Sequence, residues 1–269
     1  MTQLRIMSFN VRVAAAKDDP NDWPSRADLN VRTIERLAPD LLGLQEAEAV
    51  QCEHYQRHLV GYGLHRGVPY NDPARPAYAA IAYRRDRFEP VGEGGCWLSE
   101  TPGEHSMGWD SACARSVTWL RLRDRRTGLG IVHVNTHLDH RGETARCEGA
   151  KLIIDRLSRE LGDDEPIFVT GDFNCAPGSP AYGAFLEAGY IDAHLAAGAP
   201  DDERGHTFHG FTGVPSASHG RIDWILVRPN GAAARLSNAQ VIRDAEPPLY
   251  PSDHYPVSVD VALGDGARG

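Results

Sequence analysis

The sequence predicts an α/β fold, rich in strands and punctuated by a few helices. Two observations predict it. Short apolar runs of strand length recur along the chain, as at Leu41–Leu44, Ile167–Thr170 and Ile222–Val227. Between some of them lie segments with apolar residues at helical spacing, as at Val31, Ile34 and Leu37. A third observation points toward function: the apolar runs end repeatedly in carboxylates, amides and imidazoles.

Leu4 to Val13 reads as a buried strand that turns polar at Asn10. A polar loop, Lys17 to Asn21, leads to Ser25, the expected cap of a helix that Pro39 stops. Leu41 to Leu44 is a buried strand ending in Gln45 and Glu46, and a helix is expected from Val50 to Leu59. Ala79 to Tyr83 and Phe88 to Val91 read as paired strands around the turn Arg84 to Arg87. The Gly- and Pro-bearing stretch from Gly92 to Ala114, with Trp97 and Trp109, reads as a loop.

Ser116 to Leu122 alternates, as a half-exposed strand does. The next strand starts at Gly128 and runs through Ile131, Val132 and Val134 to His137. Gly142 to Leu161 carries a helix with Cys147, Ala150, Ile154, Leu157 and Leu161 on one face. Ile167 to Thr170 is a buried strand, Pro180 to Ala188 a short helix, and Asp192 to Ser218 loop-rich. Ile222 to Val227, Ala239 to Ile242 and Val257 to Val261 complete the strands.

The chain has 269 residues, 41% of them hydrophobic, enough to bury a sizeable core. No linker or repeat divides it, so one domain over 1–269 is expected, with its core from about 4 to 262. The net charge of -9 disfavours a protein that coats nucleic acid. Lys17 and Lys151 are the only lysines, so the positive charge is almost all arginine. The five cysteines are odd in number and none sits at CxxC spacing, which indicates neither a zinc site nor a disulfide framework. No apolar run reaches membrane-spanning length, and a strand starting at Leu4 leaves no room for a signal peptide. A cytoplasmic protein with no membrane and no obligate protein partner is the expectation.

The polar clusters suit metal-dependent hydrolysis. Glu46, Asn10 and Asp253 offer the oxygen ligands that Mg²⁺ or Mn²⁺ prefers. Asp172 and Asn174, two apart in an extended stretch, point to one side and could act on a single water. Asp223 and His254 make a carboxylate–imidazole pair, in which the acid favours a cationic ring. His137 stands at a strand end beside Asp139, His140 and Arg141, a cluster suited to phosphate. Arg115 and Arg146 are candidate phosphate clamps. His206 and His209 share a loop without a third ligand type nearby, which argues against a metal there. Trp224 lies within an apolar run and is expected in the core.

Six segments, MSFNVR, LLGLQE, NTHLDH, VTGDFN, GRIDWILV and SDHYPV, together resemble the endonuclease/exonuclease/phosphatase superfamily in content and order. The resemblance covers Ile6 to Val261. It implies two mixed β-sheets packed face to face and flanked by helices, a four-layer α/β/β/α sandwich with the site at one edge. It implies Glu46 as the main Mg²⁺ ligand with Asn10 near it and Asp253 on the metal side. One ion is expected, and a second near Asp172, Asn174 and His254 is left open. It further implies Asp172 and Asn174 acting on the water, His254 on the phosphate with Asp223 as its partner, and His137 near the leaving group. Repair endonucleases carry an acid where this chain has Arg12, which argues against a close copy of them. The implied activity is in-line hydrolysis of a phosphodiester or phosphomonoester of modest size. A nuclease acting on short or single-stranded ends is the alternative, and a non-catalytic binding module on the same fold is the alternative of another class.

Overall fold

The computed structural model describes residues 2–161 and 164–264, with the Leu161 side chain outside the described set. The first half runs β1 (Thr2–Asn10), α1 (Trp23–Leu37), β2 (Leu41–Glu48), α2 (Ala49–His58), β3 (Tyr62–His65), β4 (Pro69–Tyr70), β5 (Ala77–Arg84) and β6 (Phe88–Trp97). The second runs β7 (Ser116–Asp124), β8 (Gly130–His137), α3 (Glu143–Leu161), β9 (Ile167–Asp172), α4 (Pro180–Glu187), β10 (Ile191–Asp192), α5 (Ala193–Ala196), β11 (Asp223–Arg228), β12 (Ala233–Val241) and β13 (Val257–Gly264).

The strands form two mixed sheets. One is ordered β12-β13-β1-β2-β5-β3, with β4 also on β5; the other is ordered β10-β11-β9-β8-β7-β6. The β1–β2 and β8–β9 pairs are parallel and the remaining pairs antiparallel. The strand period of two divides each strand between layers. Leu4, Ile6, Leu41, Phe168, Ile225 and Val259 meet between the sheets. Met7, Phe9, Leu42 and Leu44 face outward to Val31, Ile34 and Leu37 of α1 and Tyr55 of α2. On the other side Val132, Val134, Val169 and Leu226 pack under Ile153 and Leu157 of α3 and Phe185 of α4. Each such side chain contributes about 1.5–3 kcal/mol by leaving water, which makes these layers the main support of the fold.

The inner face changes character along the strands. On β1, Leu4 and Ile6 give way to Ser8 and Asn10; on β8, Ile131 gives way to His133, Asn135 and His137. A polar cluster joins the sheets at mid-height. Gln45 Nε2 donates to Asn135 Oδ1 at 2.7 Å, Thr170 Oγ1 donates to the same oxygen at 3.1 Å, and Asn135 Nδ2 donates to Leu44 O and Ala80 O. Gly43 lies over this cluster, where a Cβ would collide with Thr170 Oγ1. Beyond it, the strand ends carry the candidate site.

Several expectations are corrected. Ala79–Tyr83 and Phe88–Val91 are not a hairpin: β5 pairs with β2, β3 and β4, whereas β6 pairs with β7 of the other sheet. The intervening turn crosses between sheets, and buried Arg87 anchors it to Asp40 (2.8 Å) and Asp124 (3.0 Å). The expected loop from Gly92 is strand as far as Trp97, because β7 supplies a hydrogen-bonding edge despite the glycines. Asp22, not Ser25, is the N-cap of α1; Pro24 lies in the first turn, and Ser25 Oγ donates to Asp22 Oδ1. The first strand ends at Asn10 rather than Val13, and β12 begins at Ala233 rather than Ala239.

Candidate active site

Sheet register assembles the site. Asp172, last residue of β9, is the direct neighbour of His137 on β8 and of Asp223 on β11. One rung therefore carries an imidazole and two carboxylates. Asn10 comes from the facing sheet, and its Nδ2 donates to Asp172 Oδ2 at 2.9 Å and Glu46 Oε1 at 3.2 Å. The loop before β13 adds Asp253 and His254. Ser252 Oγ ties that loop to Asn10 O at 2.6 Å.

His254 Nδ1 donates to Asp223 Oδ2 at 2.8 Å, and Thr207 Oγ1 donates to the same oxygen at 2.5 Å. His254 Nε2 lies 3.8 Å from Asp172 Oδ2. Burial opposes charge on this ring, but Asp223 and Asp172 outweigh it and raise its pKa to about 10. Burial and the neighbouring Asp223 push the Asp172 carboxyl up to about 7, against His254, Asn10 and the Asn174 N–H.

Asn174 has a left-handed backbone, φ 52°, and its N–H donates to Asp172 Oδ1 at 3.0 Å. Its amide nitrogen donates to Leu138 O (3.0 Å) and faces His137 Nε2 (2.9 Å). That makes Nε2 an acceptor, so His137 Nδ1 carries the proton and donates to Tyr70 Oη at 3.1 Å. Burial, then Arg115, His254 and His140, hold His137 well below the usual histidine range, so it is neutral.

Glu46 also sits at a left-handed position, φ 62°, where the β2–β5 register shifts. The distortion turns its carboxylate toward Asn10 Nδ2 and the Val13 N–H, which donates at 2.9 Å. Glu46 and Asp253 border one cavity of about 520 Å³. Burial pushes the Asp253 carboxyl up and Glu46 adds to this, against His254, Arg12 and Arg26. Two mutually repelling oxygen donors at a half-enclosed wall fit a hard divalent cation. Among the described residues, two groups of three ligand-type side chains, Asp172/Asp223/His254 and Cys113/Asp139/His140, have ligand atoms within 4.8 Å of one another.

Of the expected site residues, Glu46, Arg115, His137, His140, Asp172, Asn174, Asp253 and His254 line this cavity. Asn10 and Asp223 stand behind the wall, bonded to its members. Asp139 and Arg146 are not in the lining. Asp139 accepts backbone N–H groups of Ala112, Arg141 and Gly142, and Arg146 Nη1 donates to the Asp139 carbonyl at 2.9 Å. Both brace the loop after β8. His209 stacks on Tyr255 at 4.1 Å, and Trp224 stacks on Phe173 in the core. Sequence reasoning missed Tyr70, which accepts the Glu46 N–H at 2.8 Å and joins it to His137. It also missed Thr207 as the second donor to Asp223, and no local pattern marks either residue. Arg12 was seen only as a departure from a family pattern. It too lines the cavity, held by Asp18 at 2.9 Å and facing Asp253 at 3.7 Å.

A family model described as the Endonuclease/Exonuclease/phosphatase family matches residues 7–254. The chain belongs to that family. It is 32% identical to a solved endonuclease/exonuclease/phosphatase of Bacteroides vulgatus, covering 98% of this chain and 100% of that one, with a TM-score of 0.88. A mannosyl-6-phosphatase of Bacteroides thetaiotaomicron VPI-5482 is 29% identical, with 96% and 99% coverage and a TM-score of 0.87. Among curated proteins, Protein angel homolog 2 of Danio rerio is 30% identical over 60% of this chain and 29% of its own length. The chain spans between 26% and 59% of the length of the curated relatives it matches. Two packed mixed sheets with flanking helices are the fold of this family's solved members. Among the described residues, no helix is long and apolar enough to cross a membrane.

Proposed function

We propose that the chain hydrolyses a phosphate ester of modest size, with a divalent cation held by Glu46 and Asp253 beside Asn10. The observation that carries this reading is the pairing of Asp172, raised to about 7, with His254, raised to about 10, across 3.8 Å in one cavity. A carboxylate that accepts a proton near neutral pH next to a fixed cation is what water attack on phosphorus requires.

A water positioned by the Asn174 amide oxygen gives its proton to Asp172 as its oxygen bonds to phosphorus. The bond from phosphorus to the leaving oxygen breaks on the opposite side, and solvent protonates the released alcohol. His254 Nε2–H donates to a phosphoryl oxygen, with Asp223 and Thr207 holding the ring. Neutral His137, locked by Tyr70 and Asn174, orients the amide that orients the water. A bound Mg²⁺ or Mn²⁺ would supply charge neutralisation on the phosphoryl and leaving oxygens.

The similarity to a mannosyl-6-phosphatase over nearly the whole chain supports a phosphate-ester substrate. The cavity volume suits a small ligand, and the net charge of -9 does not favour a long polyanion. The test is release of p-nitrophenol from mono- and bis-p-nitrophenyl phosphate with Mg²⁺, Mn²⁺ or EDTA. Metal-dependent release lost in Asp172→Ala and His254→Ala is expected. Release that persists undiminished in folded variants would remove these residues from the mechanism.

A further inference from the structure

The cavity's positive groups are unequally compensated. Arg12 is engaged by both oxygens of Asp18, at 2.9 and 3.2 Å, and faces Asp253 at 3.7 Å. His254 is matched by Asp223 and Asp172. Arg115 is different. Its side chain is 6% exposed, yet its Nε has no hydrogen-bond partner. The nearest carboxylate, Asp139, is 3.9 Å away and already accepts three backbone N–H groups, at 2.7–3.0 Å, and the Cys113 thiol. A buried cationic N–H without an acceptor is costly and asks for an explanation.

The Arg115 side chain belongs to the cavity wall that also carries Asp172 and His254. The Arg115 guanidinium lies over the Tyr70 ring, 5.6 Å from its centroid, which fixes its plane. Its Nη2 donates to His140 Nδ1 at 3.3 Å. That bond makes Nδ1 the acceptor, so His140 carries its proton on Nε2 and is a second donor on an exposed side chain of the same wall. Burial, then Arg115, keep His140 below the usual histidine range, so it donates as a neutral ring. A guanidinium and an imidazole N–H lining one cavity with Asp172 and His254 match a terminal phosphoryl group. A phosphomonoester carries about -1.5 to -2 charge at neutral pH, whereas each phosphodiester carries one negative charge.

Resting on the phosphohydrolase reading above, we propose that Arg115, with His140, binds the extra charge of a phosphomonoester dianion and makes the cavity selective for monoesters over diesters.

The test compares kcat/KM for p-nitrophenyl phosphate and bis-p-nitrophenyl phosphate in the wild type, Arg115→Met and Arg115→Lys, together with competitive inhibition by inorganic phosphate. The wild type should favour the monoester. In Arg115→Met the monoester-to-diester ratio should fall about tenfold or more, the size expected for a charge-assisted bond, with a matching loss of phosphate inhibition. Arg115→Lys keeps the charge but loses the fork and should fall between; it carries the comparison if the Met variant does not fold. Equal loss on both esters, unchanged phosphate inhibition, or a wild type that prefers the diester would overturn the assignment. If the wild type turns over neither ester, the hydrolase reading fails by itself. Stabilisation of the protein against heat by inorganic phosphate still reads Arg115: loss of that stabilisation in the variants supports the anion site, and its retention refutes it.

Discussion

Asp172 and Asp223 are direct cross-strand partners on the β9–β11 ladder. Like charges facing each other across a sheet repel. Here the second acid helps to raise the first, and His254 bonds one and approaches the other. The arrangement holds a carboxyl that takes up a proton near neutral pH beside a cationic imidazole.

Asp223→Asn keeps the shape of that rung and removes its charge. His254 then loses the largest of the charges that favour its cation and keeps only Asp172 and Asp253 against burial, so its pKa falls, and turnover should fall by about 10²–10⁴ with an unchanged far-UV spectrum. A folded variant with turnover within about threefold of wild type would show that the pair does not act together.

Glu46→Gln removes one of the two proposed metal carboxylates and leaves a single acceptor oxygen, which can hold the Asn10 amide or the Val13 N–H but not both. The Mg²⁺ or Mn²⁺ concentration for half-maximal activity should rise about tenfold or more. Stabilisation against heat by Mn²⁺ should fall in parallel, and its persistence would place the ion elsewhere.

Arg26 is 1% exposed and donates to the carbonyls of Val11, Arg12, Asn21 and Pro251. It ties the loop after Asn10 to the loop carrying Asp253. Arg26→Met leaves buried carbonyls unpaired and should cost about 3 kcal/mol or more in urea unfolding. Arg26→Lys has fewer donors and should recover only part of this. A loss below about 0.5 kcal/mol in the Met variant would mean that the loops hold without it.

His133 is fully buried in the inter-sheet cluster, bonded to Thr170 Oγ1 at 3.0 Å, and burial lowers its pKa to about 3. Unfolded, its pKa is about 6.5. Below that value the unfolded chain binds a proton that the folded chain refuses, so this group favours unfolding increasingly from about pH 6.5 down to about 3. The stability of a His133→Gln variant, measured by denaturant titration, should depend less steeply on pH across this window. An unaltered slope would mean that other groups drive the acid transition.

Much of the site was legible because its residues close the apolar runs that become β1, β2, β8 and β9 and open the run that becomes β11. Period-two alternation, visible locally, puts Asn10, His137, Asp172 and Asp223 on inner faces at strand ends. Arg115 and Arg146 looked equivalent as sequence, since each is an arginine near an expected element start. Only the packing of Arg115 over Tyr70 and the capture of Arg146 by the Asp139 carbonyl separate them.

The sequence by itself determined the α/β class, most strand positions and the residue types of the candidate site, because these depend on composition and short-range periodicity. The tertiary structure alone decided that β5 and β6 part into different sheets, since strand pairing is a contest among distant edges that no local pattern records. It also decided the lowered affinity of His137 for a proton and the raised affinity of Asp172, because both follow from burial and from charges supplied by remote segments. The unpartnered Nε of Arg115 emerges the same way: its lack of an acceptor is a property of everything folded around it.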